Sequence, residues 1–407
     1  MKKIVSLLIV GLLAIIPLYC YANIAKGFSG SCKWVIDDNG VLTITPISGE
    51  EGRLEDWGKG ISPWFEYYDK ITHAKFEKEI YAKTCFSMFR NCYNLETVDL
   101  GQLNIDESDN MQYMFSGCES LKEIDMSTLN TDNVVYMDNM FAYCSSLKSI
   151  DLSTFDTFKV ITMNQMFYNC TSLEYADVSR FWTLNLAEAR EMFFNCKKLK
   201  NVNMHFWDFR GMVNMTSMFQ NCESLKYINI HVFSLSRGDI DRAFMNCHSL
   251  ESLNLTGIYP GVGEYSDGLF TGCESLKKFY ALNNDPFMWT ISENVFKTIK
   301  DPGKIILYVH REAVDLYKNA PGWSIFDVRA VEDEPKESDE NTENKQTENP
   351  EGKTTDNPED KPAESPVTGI DIATSVQSSV AYTLSGKRLV APRNGVNIIN
   401  GKKYLVK

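Results

Sequence analysis

Eight cysteines stand at Cys92, Cys118, Cys144, Cys170, Cys196, Cys222, Cys247 and Cys273, 26 residues apart at every step except one of 25. Thiols can bind a soft metal, pair as disulfides or carry redox chemistry. Metal sites gather their ligands at short intervals such as C-x-x-C, and the chain has none. Four carboxylates, Asp99, Asp125, Asp151 and Asp177, keep the same step, and Asn203, Asn229 and Asn254 continue the file. Stacked carboxylate oxygens suit a hard cation such as calcium. The simpler reading is a solvated acidic stripe balanced by Lys122, Lys148 and Lys200. His205 and His231 also lie 26 residues apart and could share a transition metal, with surface stacking the simpler reading. No nucleophile-elbow, metalloprotease or phosphate-loop pattern accompanies the 5 histidines. The chain is therefore read as non-enzymatic, with no cofactor and no resident metal.

The residues around the cysteines define what holds them. Phe precedes each by three positions, from Phe89 to Phe270, and Leu follows by three, from Leu95 to Leu276. Repetition of F-x-x-C-x-x-L at one period marks stacked units, none able to bury its apolar face alone. In one copy Met111, Met114, Phe115, Cys118 and Leu121 make the apolar stripe of a short helix or turn. The following LKEIDM alternates like a short strand, and STLNTDN supplies turn residues. The expected fold is an α/β repeat solenoid of leucine-rich-repeat type. It has a parallel sheet on one face, short helices or turns on the other, a β-rich N-terminal cap and a small all-β C-terminal module.

Stacked rungs put equivalent Cβ atoms about 4.8 Å apart, beyond the usual 3.5–4.5 Å of a disulfide. The ladder cysteines are therefore expected to be reduced, buried and structural. Cys85 falls at a core position as well, and Cys32 is the least constrained. Asp125 and its equivalents, flanked by inward residues, should point to solvent. Phe155, Phe181, Trp207 and Phe233 form a second core ladder. Trp182 and Phe206 fall outside it, where other copies carry residues such as Asp156 and Thr154. Tyr175 and Tyr227 lie on the outward strand face. These four aromatics are the candidate binding residues, since Trp and Tyr anchor interfaces, with local repacking the alternative.

The flanks set the context. Lys2 and Lys3, then an apolar run to Pro17 and LYCYANIA, read as an export signal over residues 1–22 rather than a membrane or lipid anchor. No second long apolar run follows, so no membrane span is expected in the mature chain. Residues 23–84, with the Asn39-Gly40 hairpin signal, form the N-terminal cap; 85–282 hold eight repeats; 283–331 form the C-terminal cap, with Trp323 buried. Residues 332–366 form an acidic linker too polar to fold. Residues 367–407 return to alternating strands with Ser385-Gly386, Asn394-Gly395 and Asn400-Gly401 turns. A net charge of -13 argues against nucleic acid as a partner.

The repeat M-x-x-M-F-x-x-C-x-x-L-x-x-I-D-L-S-x-F-D-T, clearest at Met137–Thr157, resembles the BspA-like leucine-rich-repeat surface proteins. GSCKWVIDDNGVLTI and LYKNAPGWSIF resemble the flanks of that family, and Ala189, Ile240 and Ser266 depart from its leading Met. The tail YTLSGKRLVAPRNGVNIINGKKYLVK is similar to the short sorting domains on cargo of the bacterial type IX secretion system. The resemblance implies a protein secreted to, or displayed on, the outer surface of a diderm bacterium. It implies adhesion to a host extracellular-matrix or cell-surface protein or glycan, or to another bacterial surface. A structural or nutrient-capture role in the bacterial envelope is the alternative. The family motif residues are core residues, so no binding site carries over.

Overall fold

The computed structural model describes residues 23–204, 207, 214–229, 239–256, 268–282 and 296–335, together with the strand backbones at 381–382, 388–389, 395–399 and 402–406. The export signal, most of the linker, Phe206, His205, His231 and Phe233 lie outside the described residues.

The chain opens with three antiparallel strands, β1 (Ala25–Ser29), β2 (Cys32–Ile36) and β3 (Val41–Pro46). The β2–β3 turn needs Gly40, whose φ is +81° and whose added Cβ would lie 2.4 Å from the Lys70 carbonyl. From β3 the sheet becomes parallel, through β5 (His73–Phe76) to β7 (Thr97–Asp99). A small parallel ladder runs beside it, through β4 (Glu51–Arg53), β6 (Glu79–Tyr81) and β8 (Leu103–Asn104).

The second repeat, around Asp125, has no assigned strand. Four parallel strands follow, β9 (Ser149–Asp151), β10 (Tyr175–Asp177), β11 (Asn201–Asn203) and β12 (Tyr227–Asn229). A last sheet orders β13 (Ser252–Asn254), β14 (Lys278–Tyr280), β15 (Ile306–Val309) and β16 (Asp327–Ala330). The one described α-helix, α1 (Val314–Asn319), lies between β15 and β16. A separate four-stranded antiparallel sheet contains β17 (Ala381–Tyr382), β18 (Arg388–Leu389), β19 (Gly395–Ile399) and β20 (Lys402–Val406). Among the described residues no helix is long and apolar enough to cross a membrane.

The Met-Phe-Cys half of each repeat is a run of turns and not a helix. Backbone φ is positive at the residue before each ladder cysteine, for example Asn91, Gly117, Tyr143 and Asn169, and again four residues earlier, at Ser87, Tyr113, Asn139 and Gln165. Each such residue breaks the right-handed helix. Alternate amides consequently leave the turn. The N–H groups of Met111, Tyr113, Phe115 and Gly117 donate to Tyr136, Asp138, Met140 and Ala142 in the next repeat. Those of Met114, Ser116 and Cys118 bond three residues back. The turns therefore form a second inter-repeat ladder, with isolated parallel bridges linking Asn110, Tyr136, Thr162, Glu188, Asn214 and Asp239 in succession.

Inside, identical residues stack. The rings of Phe89, Phe115, Phe141, Phe167, Phe193, Phe219, Phe244 and Phe270 lie with centroids 5.2–5.8 Å apart and near-parallel planes. The file runs one rung beyond the eight copies, to Phe296 at 5.9 Å. Ile299 and Pro302 stand where that ninth rung would carry Cys and Leu. Aromatics plug both ends. Trp64 packs its ring against Phe89 at a tilt and donates to the Met88 carbonyl, while Trp323 and Phe326 close on Phe296.

Candidate recognition surface

The ladder cysteines are free thiols, buried from Cys92 to Cys247 and partly buried at Cys273. From Cys118 on, each reaches a backbone oxygen of the preceding rung: Cys118 Sγ donates to the Phe89 carbonyl at 3.2 Å, and Cys144, Cys170, Cys196, Cys222, Cys247 and Cys273 repeat the contact at 3.0–3.2 Å. Phe89 O also accepts the Cys92 N–H at 3.1 Å, so both its lone pairs are used. Burial pushes the thiols of Cys92, Cys170 and Cys273 up to about 12. Such thiols are poor nucleophiles and poor metal ligands at neutral pH.

The sheet face is built from the x-x positions around one buried residue per strand. Ser149 and Asp151 are exposed on either side of buried Ile150, and Tyr175 and Asp177 flank buried Ala176. Three outward files result. The central file is Thr97, Glu123, Ser149, Tyr175, Asn201, Tyr227, Ser252 and Lys278. The strand-exit file is Asp99, Asp125, Asp151, Asp177, Asn203 and Asn254. The strand-entry file is Glu96, Lys122, Lys148, Glu174, Lys200, Lys226, Glu251 and Lys277.

The aspartates act on their own chain. Oδ1 of Asp99, Asp125, Asp151 and Asp177 accepts the N–H two residues on, at 2.8–3.0 Å, closing a turn at each strand exit. The Ser127 hydroxyl and then its N–H hold the Asp125 carboxyl below its ordinary value; the Ser153 N–H and then its hydroxyl do so for Asp151. Among the described residues no three His, Cys, Asp or Glu side chains are grouped to hold a metal ion. Lysines brace the entry file, with Lys200–Glu174 at 2.6 Å and Lys277–Glu251 at 2.8 Å.

Tyr175 and Tyr227 are 42% and 43% exposed and share the central file, with Asn201 between them. Burial, and then the Asp177 carboxylate, raise the Tyr175 phenol. Trp182 lies past the strand and its turn, half-buried, with its ring 6.1 Å from Phe158. Its N–H donates to Thr157 Oγ1 at 2.7 Å, and the Thr157 hydroxyl donates to its carbonyl at 3.1 Å. The tyrosines therefore belong to the sheet face, and Trp182 to a flank it shares with Phe158 and exposed Leu184. On the turn side, Tyr168 stacks on Phe194 at 4.8 Å and meets exposed Tyr143 at 5.4 Å. These turn-side rings escaped the periodic reading because Tyr143 sits one residue before Cys144, whereas Tyr168 and Phe194 sit two before Cys170 and Cys196, so no single file links all three.

Comparison with known proteins supports the architecture. A family described as BspA type leucine-rich repeat region (6 copies) matches residues 191–307, and one described as Mycoplasma protein of unknown function, DUF285, matches 83–201 and 124–233. The chain is a leucine-rich-repeat-type solenoid, related distantly to the BspA-like leucine-rich-repeat proteins. No curated protein matches it. Among solved structures it is similar to a leucine-rich repeat protein from Eubacterium ventriosum, at 15% identity over 75% of this chain and 95% of that one, with a TM-score of 0.27. A leucine rich cell surface protein from Faecalibacterium prausnitzii aligns at 17% identity over 67% and 92%, with a TM-score of 0.20. The pneumococcal vaccine antigen PcpA aligns at 14% over 75% and 98%, with a TM-score of 0.24. Scores this low carry no argument; the fold rests on the ladders themselves.

Proposed function

We propose that this chain is an exported, surface-displayed bacterial recognition protein, a non-catalytic adhesin for a host matrix or cell-surface protein or glycan. One observation carries the reading. Inward positions repeat from rung to rung, whereas the central outward file changes at nearly every step, from Thr97 through Tyr175 and Tyr227 to Lys278. Conserving the scaffold while varying the outward residues provides a broad surface for many modest contacts. Residues 1–22 act as the export signal, 332–366 space the solenoid from the surface, and 367–407 serve as the sorting tail of a type IX substrate. Tyr175 and Tyr227 supply contacts on the sheet face, and Trp182 and Phe206 on the flank.

The test is capture by the immobilised chain from solubilised host-matrix fractions and bacterial surface fractions. Tyr175→Ala/Tyr227→Ala and Trp182→Ala/Phe206→Ala variants run alongside. Saturable capture of a host component, lost in one variant of unchanged melting temperature, supports adhesion and locates the contact. Capture of bacterial components alone moves the function to the envelope.

A further inference from the structure

We infer that the sheet face is a self-complementary interface, pairing with a second copy of this chain in antiparallel register. The inference rests on the reading of Tyr175 and Tyr227 as contact residues and names their partner. The face is electrically divided. At its three outward files the first four rungs carry seven carboxylates and two lysines, and the last four carry four lysines and one carboxylate. The sign changes between Asp177 and Lys200, where the strand-exit file turns from Asp to Asn203. The exposed tyrosines stand on either side of this boundary.

A partner surface of one sign would satisfy half of this face and be repelled by the other half. A parallel copy would set like charge against like. A copy rotated by 180° about an axis between the fourth and fifth rungs sets the first rung against the eighth and the third against the sixth. Each file then meets its own counterpart, so Glu96 faces Lys277, Lys122 faces Glu251 and Glu174 faces Lys200, with Lys148 against Lys226 the one like-charged pair. Near the axis Tyr175 faces Asn201, and Tyr227 faces Ser149, whose small side chain leaves room for the ring. This is the isologous geometry of a two-fold dimer, with opposed charge outside and aromatic anchors at the centre. At about 4.8 Å per rung, eight rungs give an interface roughly 34 Å long.

Sedimentation of the full chain at low and high salt tests the pairing. Two charge-reversed forms accompany it, Glu96→Lys/Glu174→Lys and Lys200→Glu/Lys277→Glu. The wild type should dimerise at low salt and dissociate as salt screens the opposed charges. Each variant alone should weaken self-association by about tenfold or more, and an equimolar mixture should restore it as a heterodimer. That rescue occurs only if the acidic half of one copy meets the basic half of the other. The lysine variant keeps the test valid if the glutamate variant harms folding. A wild type that stays monomeric, or a lysine variant that dimerises as well as wild type, overturns the proposal. So does a mixture of two folded variants that fails to pair. A monomeric wild type that still captures a matrix component removes self-pairing and leaves the recognition reading intact.

Discussion

The Cys170 thiol serves two purposes: it fills apolar volume and donates to the Phe141 carbonyl at 3.0 Å. Cys170→Ala removes both, and should cost about 1–3 kcal/mol in urea unfolding. The pH dependence has a definite sign. Burial raises this thiol from an ordinary 9.0 to about 12, so the folded state holds its proton where the unfolded chain has released it. That stabilisation is complete below pH 9, erodes as the pH rises above it and is gone above about 12. Each such thiol should lose about 1.4 kcal/mol per pH unit within that window. With the ladder acting together, the urea midpoint should fall steeply between pH 9 and pH 10.5 while barely changing between pH 7 and pH 8. A flat profile to pH 10.5 would mean that the thiols are not held as described.

A single turn repeat depends on its left-handed residues. Asn195 combines a φ of 60° with a side-chain bond to Asn169 Oδ1 at 2.6 Å. Asn195→Val should therefore destabilise by about 2 kcal/mol or more, and Asn195→Gly by less, in thermal or chemical unfolding. Gly117→Ala should also destabilise, because its Cβ would lie 2.7 Å from Asn91 Oδ1 at a φ of +79°. The inward positions of these elements were readable in the sequence, because Met, Phe, Cys and Leu recur at one period. The conformation between them was not. Apolar spacing of three and four residues fits a helix and a run of turns equally, and the distinguishing signal was the Asn or Gly before most of the cysteines. The outward rings were less legible still. Tyr175 and Tyr227 stood out by strand alternation, but packing fixes no period for surface residues such as Leu184 and Tyr143.

For the solenoid as a whole, stability resides in contacts between neighbouring rungs, so its ends matter most. Trp64 seals the first rung: fully buried, it packs against Phe89 and donates to Met88 O. Trp64→Ala should cost about 3–5 kcal/mol. Hydrogen exchange should then quicken around Phe89 and Phe115 before it does around Phe219. At the other end, β17–β20 pair only among themselves among the described residues. Deleting residues 336–407 should consequently leave the melting temperature of the repeats unchanged, as followed by circular dichroism.

The cross-rung bonds also dictate how the protein would yield under tension. A pull applied near Glu334 loads β16 and the Trp323 and Phe326 plug before any repeat. Once these give way, each rung shields the next, and the chain peels from that end in sequence. Every rung released frees 26 residues, or about 90 Å of contour. A force–extension trace should therefore show regular steps of that size, so that a molecule held at a surface by its C-terminal side would lengthen by increments and dissipate work at each one.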